Sequence, residues 1–251
     1  MTDTARYAYA VARHLDAAAV DGVPGVHGAD LSVVRHCGLD AVLSDVPLPE
    51  FDEQGLKQNL EDFTWLEAVA RAHDDVVWAV ASSAPTAPLR LATIFLDDDA
   101  VRRRLEELQG QLTEVLDRVE GRAEWSVKVI APPRGGASES PAPTSGAEFL
   151  RRRKAEAEER EQHLEDGTRA AEEVHQELVA LTVASRLLPP QDPQLTGHRG
   201  TMVLNGAYLV PHDAGMAFAD RVRDLGARHT GLSVEVAGPW PPYSFAVLEE
   251  M

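Results

Sequence analysis

Glu124-Trp-Ser-Val-Lys-Val129 alternates in twos, with Trp125, Val127 and Val129 apolar and Glu124, Ser126 and Lys128 polar. That period is the signature of a strand with one face buried. Upstream, Val101, Leu105, Leu108, Leu112, Val115 and Val119 recur at helical spacing between Asp97-Asp-Asp99 and Gly121. Acidic residues suit a helix start and glycine suits a stop. Before that helix, Leu89-Arg-Leu-Ala-Thr-Ile-Phe95 has the composition of a strand. Downstream, residues 131–145 are rich in Pro, Gly, Ser and Ala, a loop composition. A charged helix is expected from Ser145 to about Leu188, with Gly167 as a break and Pro189-Pro190 as its end. A strand at 201–210, a helix at 213–228 and a strand at 232–237 complete the pattern. Two β-α-β halves around a helical insertion predict a ferredoxin-like sandwich.

The N-terminal part has its own grammar. Tyr7-Ala-Tyr-Ala-Val11 is expected as a strand, and Leu31–His36 and Leu39–Asp45 as a hairpin turning at Cys37-Gly38. A helix is expected over 60–81, with His73 on its apolar face as a core residue. The expected fold class is α+β, in two domains. Residues 1–86 form the first, and 87–251 form a ferredoxin-like domain with a helical insertion at about 145–190. The chain closes on Gly238-Pro-Trp-Pro-Pro-Tyr-Ser-Phe245, where three prolines forbid a central strand. This is a rigid extended tail holding Trp240, Tyr243 and Phe245 at set positions.

Twenty-four basic residues against 41 acidic ones give a net charge of −17. Such a surface disfavours nucleic acid and anionic lipid membranes as partners. The N-terminus lacks a basic region followed by an apolar stretch, and no apolar run is long enough to span a bilayer, so a cytoplasmic protein is expected. A single cysteine, Cys37, excludes an internal disulfide framework and is expected to act as a small hydrophobe beside Val33 and Val34.

A search for chemistry finds no constellation. Asp97-Asp-Asp99 lacks the loop of a calcium site and is read as a helix cap. The nine histidines form no metal-binding pair at helical spacing. Phosphate-cradling glycine motifs and a nucleophile elbow are absent. Ser145-Gly-Ala-Glu148 fits a capping box. Arg90 and Lys128 sit inside apolar strands, where each calls for a partner such as Glu124. No catalytic, cofactor or metal residue is assigned, and no enzyme activity is expected.

The terminal Gly-Pro-Trp-Pro-Pro-Tyr-Ser-Phe resembles the closing signature of the gas vesicle protein F/L family. Five further segments resemble that family's motifs in order: Tyr7-Ala-Tyr9, Pro88-Leu-Arg-Leu-Ala-Thr93, Glu124-Trp-Ser-Val-Lys-Val129, Ser145-Gly-Ala-Glu-Phe-Leu150 and Asn205-Gly-Ala-Tyr-Leu-Val210. Departures are Leu91-Ala92 for Phe-Gly, Ser126 for Gly and Phe149 for Tyr. The resemblance implies a gas vesicle accessory protein that is not an enzyme and works in the cytoplasm and at the vesicle. Its implied partners are the small hydrophobic shell subunit and other accessory proteins. Trp240, Tyr243 and Phe245, together with Arg151, Arg152 and Arg153 of the charged helix, are the expected contact residues. A second reading, a ferredoxin-like small-ligand-binding regulatory module, requires a polar pocket around Arg90, Lys128 and His198.

Overall fold

The structure, a computed structural model, describes residues 4–133, 145–191 and 200–246. The described residues of 1–124 and 240–251 form one compact unit, and those of 125–239 form a second. The expected boundary near residue 86 falls instead at the start of a strand of the first unit's own sheet. A proline-rich approach marks that strand's entry, not a linker.

The first unit is built on β1 (Thr4–Ala12), β2 (Leu31–His36), β3 (Leu39–Pro47) and β4 (Thr86–Phe95), in the order β2-β3-β1-β4. Both neighbours of β1 run antiparallel to it. Residues Tyr7–Ala12 are buried without interruption, because both sheet faces are covered. On one face, α3 (Phe63–Ala81) packs Val69, Val76, Val77 and Val80 against Tyr7, Tyr9 and Val42. On the other, α4 (Asp98–Glu107) and α5 (Gln109–Val119) pack Leu105, Leu112 and Leu116 against Ala8, Val11 and Leu43. The short helices α1 (Leu48–Phe51) and α2 (Glu53–Asn59) link β3 to α3. The helix expected to begin near residue 60 begins at Phe63, where Asp62 caps the Thr64 and Trp65 N–H groups. The single helix expected over 97–119 breaks at Leu108, whose ψ of 5° leaves the helical region. Asp97 is a cap, as its position implied: its side chain accepts from Ala100 N–H at 2.7 Å. Gly121, at φ 68°, follows the end of α5.

The β2–β3 turn corrects one expectation. Cys37 and Gly38 both have positive φ, 52° and 76°, as a two-residue hairpin requires. Cys37 is therefore exposed and does not fill space beside Val33.

The second unit contains most of β5 (Arg122–Ala131), with α6 (Gly146–Val179), β6 (Ala184–Leu187), β7 (Thr201–Pro211), α7 (Gly215–Arg228) and most of β8 (Ser233–Trp240). Its sheet order is β6-β7-β5-β8. The β-α-β half expected from 89 to 129 does not form, because β4 and β5 lie in different sheets. What was expected as an insertion, α6, is the connection from β5 to β6. Gly167 does not break it. A Cβ there would meet the Ala131 methyl at 3.3 Å, so the small residue lets the helix pass close to the end of β5. Ala171, Val174 and Leu178 of α6 and Phe218, Val222 and Leu225 of α7 pack on Val127, Val129, Tyr208 and Val210.

Candidate interaction surface

The tail is not a free arm. Tyr243–Phe245 forms one 3-10 turn that packs against the edge strand β4. Tyr243 lies against the α3 face of the sheet and Ala246 against the α4–α5 face, so the segment passes round the β4 edge. Tyr243 O–H donates to Asp74 of α3 at 2.6 Å. Burial, with the Asp74 charge beside it, pushes the Tyr243 phenol well above its ordinary pKa, so the ring stays neutral. Ser244 donates twice to the buried Glu124 carboxylate, from its N–H at 2.7 Å and from its hydroxyl at 2.6 Å. Glu124 thus holds the tail. Phe245 is 5% exposed and cannot touch a partner without unfolding the turn.

Trp240 is different. It is 44% exposed and meets Trp78 of α3, itself 39% exposed, edge to face with ring centroids 6.0 Å apart. Of the three tail rings expected as contacts, one faces solvent. Sequence periodicity had no means of finding its mate, because Trp78 lies off the buried stripe of Val69, His73, Val76, Val77 and Val80, and spacing does not show what an off-stripe ring meets.

Beside the tail, β4 is irregular. Thr93 opposes Ala8 and Pro88 opposes Ala10, so residues 89–92 bulge out of register. Ala92 is held at φ 60° there, and Thr93 O–H donates to the Arg90 carbonyl at 2.8 Å. Arg90 and Leu91 are pushed outward and exposed. Behind the bulge, the Tyr7 hydroxyl oxygen accepts from Ala92 N–H at 3.1 Å and lies 3.1 Å from His73 Nδ1. His73 is buried and its pKa falls to about 4, chiefly by desolvation, with the Asp74 charge and the Leu89 carbonyl opposing. That carbonyl falls short of a hydrogen bond, since Nε2 has no partner among the described residues.

Arg151, Arg152 and Arg153 lie on the first half of α6, which is exposed nearly all round from Gly146 to Asp166. Arg152 pairs with Glu156 at 3.0 Å and Arg153 lies over the Phe149 ring. Ser145 caps this helix through Glu148 N–H. In the second unit, Asn205 donates to the Pro189 carbonyl at 2.7 Å, and His175 Nδ1 meets Tyr208 O–H at 2.8 Å.

Arg90 and Lys128 belong to different compact units, and His198 lies outside the described residues. A cavity under the first sheet, lined by apolar residues including Val11, Leu89 and Leu112, holds about 10 Å³. Metabolite pockets run to about 300 Å³ or more. Among the described residues no three His, Cys, Asp or Glu side chains gather as a metal site, and no helix is long and apolar enough to cross a membrane.

Residues 5–247 match the family described as gas vesicle synthesis protein GvpL/GvpF. The chain is 39% identical to gas vesicle protein L of Streptomyces sp. (strain CB03234), over 99% of this chain and 95% of that one. It is 24% identical to gas vesicle protein F2 of Halobacterium salinarum (strain ATCC 700922 / JCM 11081 / NRC-1), over 98% and 93%. In structure it is similar to GvpF from Anabaena sp. PCC7120, with a TM-score of 0.70 at 17% identity over 98% of this chain and 97% of that one. GvpF from Microcystis aeruginosa is similar too, with a TM-score of 0.66 at 17% identity over 97% and 99%. The match runs from the first strand to the closing tail, and the chain belongs to the gas vesicle GvpL/GvpF family.

Proposed function

We propose that this protein is a non-enzymatic accessory factor in gas vesicle formation. It works in the cytoplasm and binds the small hydrophobic shell subunit through the Trp78–Trp240 pair. The observation that carries this reading is that two large rings stay half exposed on a segment otherwise tied down by Tyr243, Ser244 and Phe245. A rigid aromatic pair loses little entropy on binding and suits an apolar partner. The acidic surface keeps such a complex soluble while the partner's apolar face is covered. We read the second unit as ferredoxin-like, supported by an order that, in its own strand numbers, is 4-1-3-2, with α6 and α7 as crossovers.

Cutting the tail away is a poor test, because it also strips the first unit of Phe245 and of the Glu124 partner. The better variant is Trp78→Ala with Trp240→Ala, which removes the rings and leaves the turn. Co-purification with the shell subunit should fall about 30-fold, the effect of losing one aromatic hot spot. Undiminished capture by a folded double variant would overturn the assignment.

A further inference from the structure

The first half of α6 packs on nothing in the second unit's core. Burial begins at Gly167 and continues through Ala171, Val174 and Leu178, whereas residues 146–166 are almost entirely exposed. At 1.5 Å per residue this arm is about 30 Å long. A helix that is polar all round and buries no face is marginal in water, and its i,i+4 ion pairs add only tenths of a kilocalorie each.

Its charges are not mixed. Arg151-Arg-Arg-Lys154 carries four cations in a row, and residues 156–166 carry six carboxylates and one arginine. Part of this is neutralised within the helix, by Arg152–Glu156 at 3.0 Å, Lys154–Glu158 at 3.7 Å and Arg169–Asp166 at 3.9 Å. Arg151 and Arg153 have no ion pair among the described residues: Arg151 donates to the Ala147 carbonyl and Arg153 sits over Phe149. Ala155 alone stands between the two blocks. Phe149, Ala157 and Leu164 continue the helical stripe that buries Gly167, Ala171, Val174 and Leu178 further along.

We infer that the exposed arm of α6 is a self-association surface, pairing antiparallel with the same arm of a second copy about a two-fold axis close to Glu156. Antiparallel pairing about that axis lays Arg151–Lys154 of each arm along residues 158–161 of the other, three carboxylates and Arg160, so unlike charges meet twice. It sets Phe149 of one chain near Leu164 of the other. Ala155 and Ala157 flank the crossing, where the backbones approach. A parallel pair would place like blocks together and is excluded by the same charges. With three apolar residues per arm, the association is weak and electrostatic, at about 10–100 μM in low salt.

Sedimentation equilibrium of the full chain tests this. Wild type should dimerise at low ionic strength and weaken about tenfold in half-molar salt. Reversing the basic block (Arg151→Glu, Arg152→Glu, Arg153→Glu, Lys154→Glu) should give a monomer. Reversing the acidic block (Glu156→Lys, Glu158→Lys, Glu159→Lys, Glu161→Lys) should also give a monomer. A one-to-one mixture of the two should dimerise. In a Cys37→Asn background, Ala157→Cys should form a disulfide-linked dimer. Leu150→Cys should not, because its mate then lies about 20 Å away. Wild type that stays monomeric at millimolar concentration overturns the proposal. So does crosslinking at both positions, or arm variants that lose shell-subunit binding while wild type is a monomer.

Discussion

A buried histidine sets the clearest pH dependence in the molecule. His73 titrates near 6.5 when unfolded and near 4 when folded, so the unfolded chain binds the extra proton between those values. Its contribution is therefore fully present above about pH 6.5 and is lost as pH falls toward 4. Between pH 7 and pH 5 the loss is about 2 kcal/mol. Denaturant midpoints at the two pH values should show this drop. His73→Phe keeps a ring in the core and should flatten the difference by that amount. The partly exposed His175 is also shifted down by desolvation and adds slope of the same sign. At this scale sequence was informative about type and silent about partners. His73 was legible as a core residue from its helical phase. Its contact with Tyr7, 66 positions away, was not, because spacing along a chain says nothing about which side chains meet across a sheet.

Among the strands, β4 holds a non-glycine residue in the left-handed region. The family motif that the chain resembles at 88–93 has glycine where Ala92 stands, and Ala92 sits at φ 60°. Left-handed backbone costs a side-chain-bearing residue about 1–2 kcal/mol, and glycine returns about half of that through its freer unfolded chain. Ala92→Gly should therefore stabilise the protein by about 0.5–1 kcal/mol, read as a higher urea midpoint at unchanged slope. The strands with clear alternation or β-branched runs, β2, β3, β5 and β7, were legible, as were the caps at Asp97 and Ser145. The bulge at 89–92 was not, since it arises from unequal pairing with β1. The break at Leu108 was also hidden, because α4 and α5 keep one apolar phase across it.

Across the whole molecule, both sheets follow one plan. Numbered within itself, each has the order 2-3-1-4, with a hairpin supplying the second and third strands. In the second unit a long helix joins the first strand to the second, and in the first unit two 3-10 turns, Ala17–Val20 and Val26–Gly28, do so. Periodicity reveals elements but not neighbours, which is why the strand at 89–95 was placed in the wrong sheet. The tail's location was hidden for the same reason, although its rigidity was plain from its prolines. One expectation belongs to this scale. Truncation after Ala237 should strip hydrogen-exchange protection from β1 and β4, and the amides of β7 should keep theirs. Equal loss in both units would mean that Ser244 and Phe245 do not act where they pack.

The return of residues 240–246 to the first unit also orders events during synthesis. Residues 125–239 lie between the two pieces of that unit, so a ribosome makes 115 residues after Glu124 before the missing turn exists. At about 5–20 residues per second, the nascent first unit waits roughly 6–23 s with its β4 edge bare. Trp78 gains its companion ring only after Trp240 has been made. A translation product that stops short of Trp240 therefore lacks the paired aromatics.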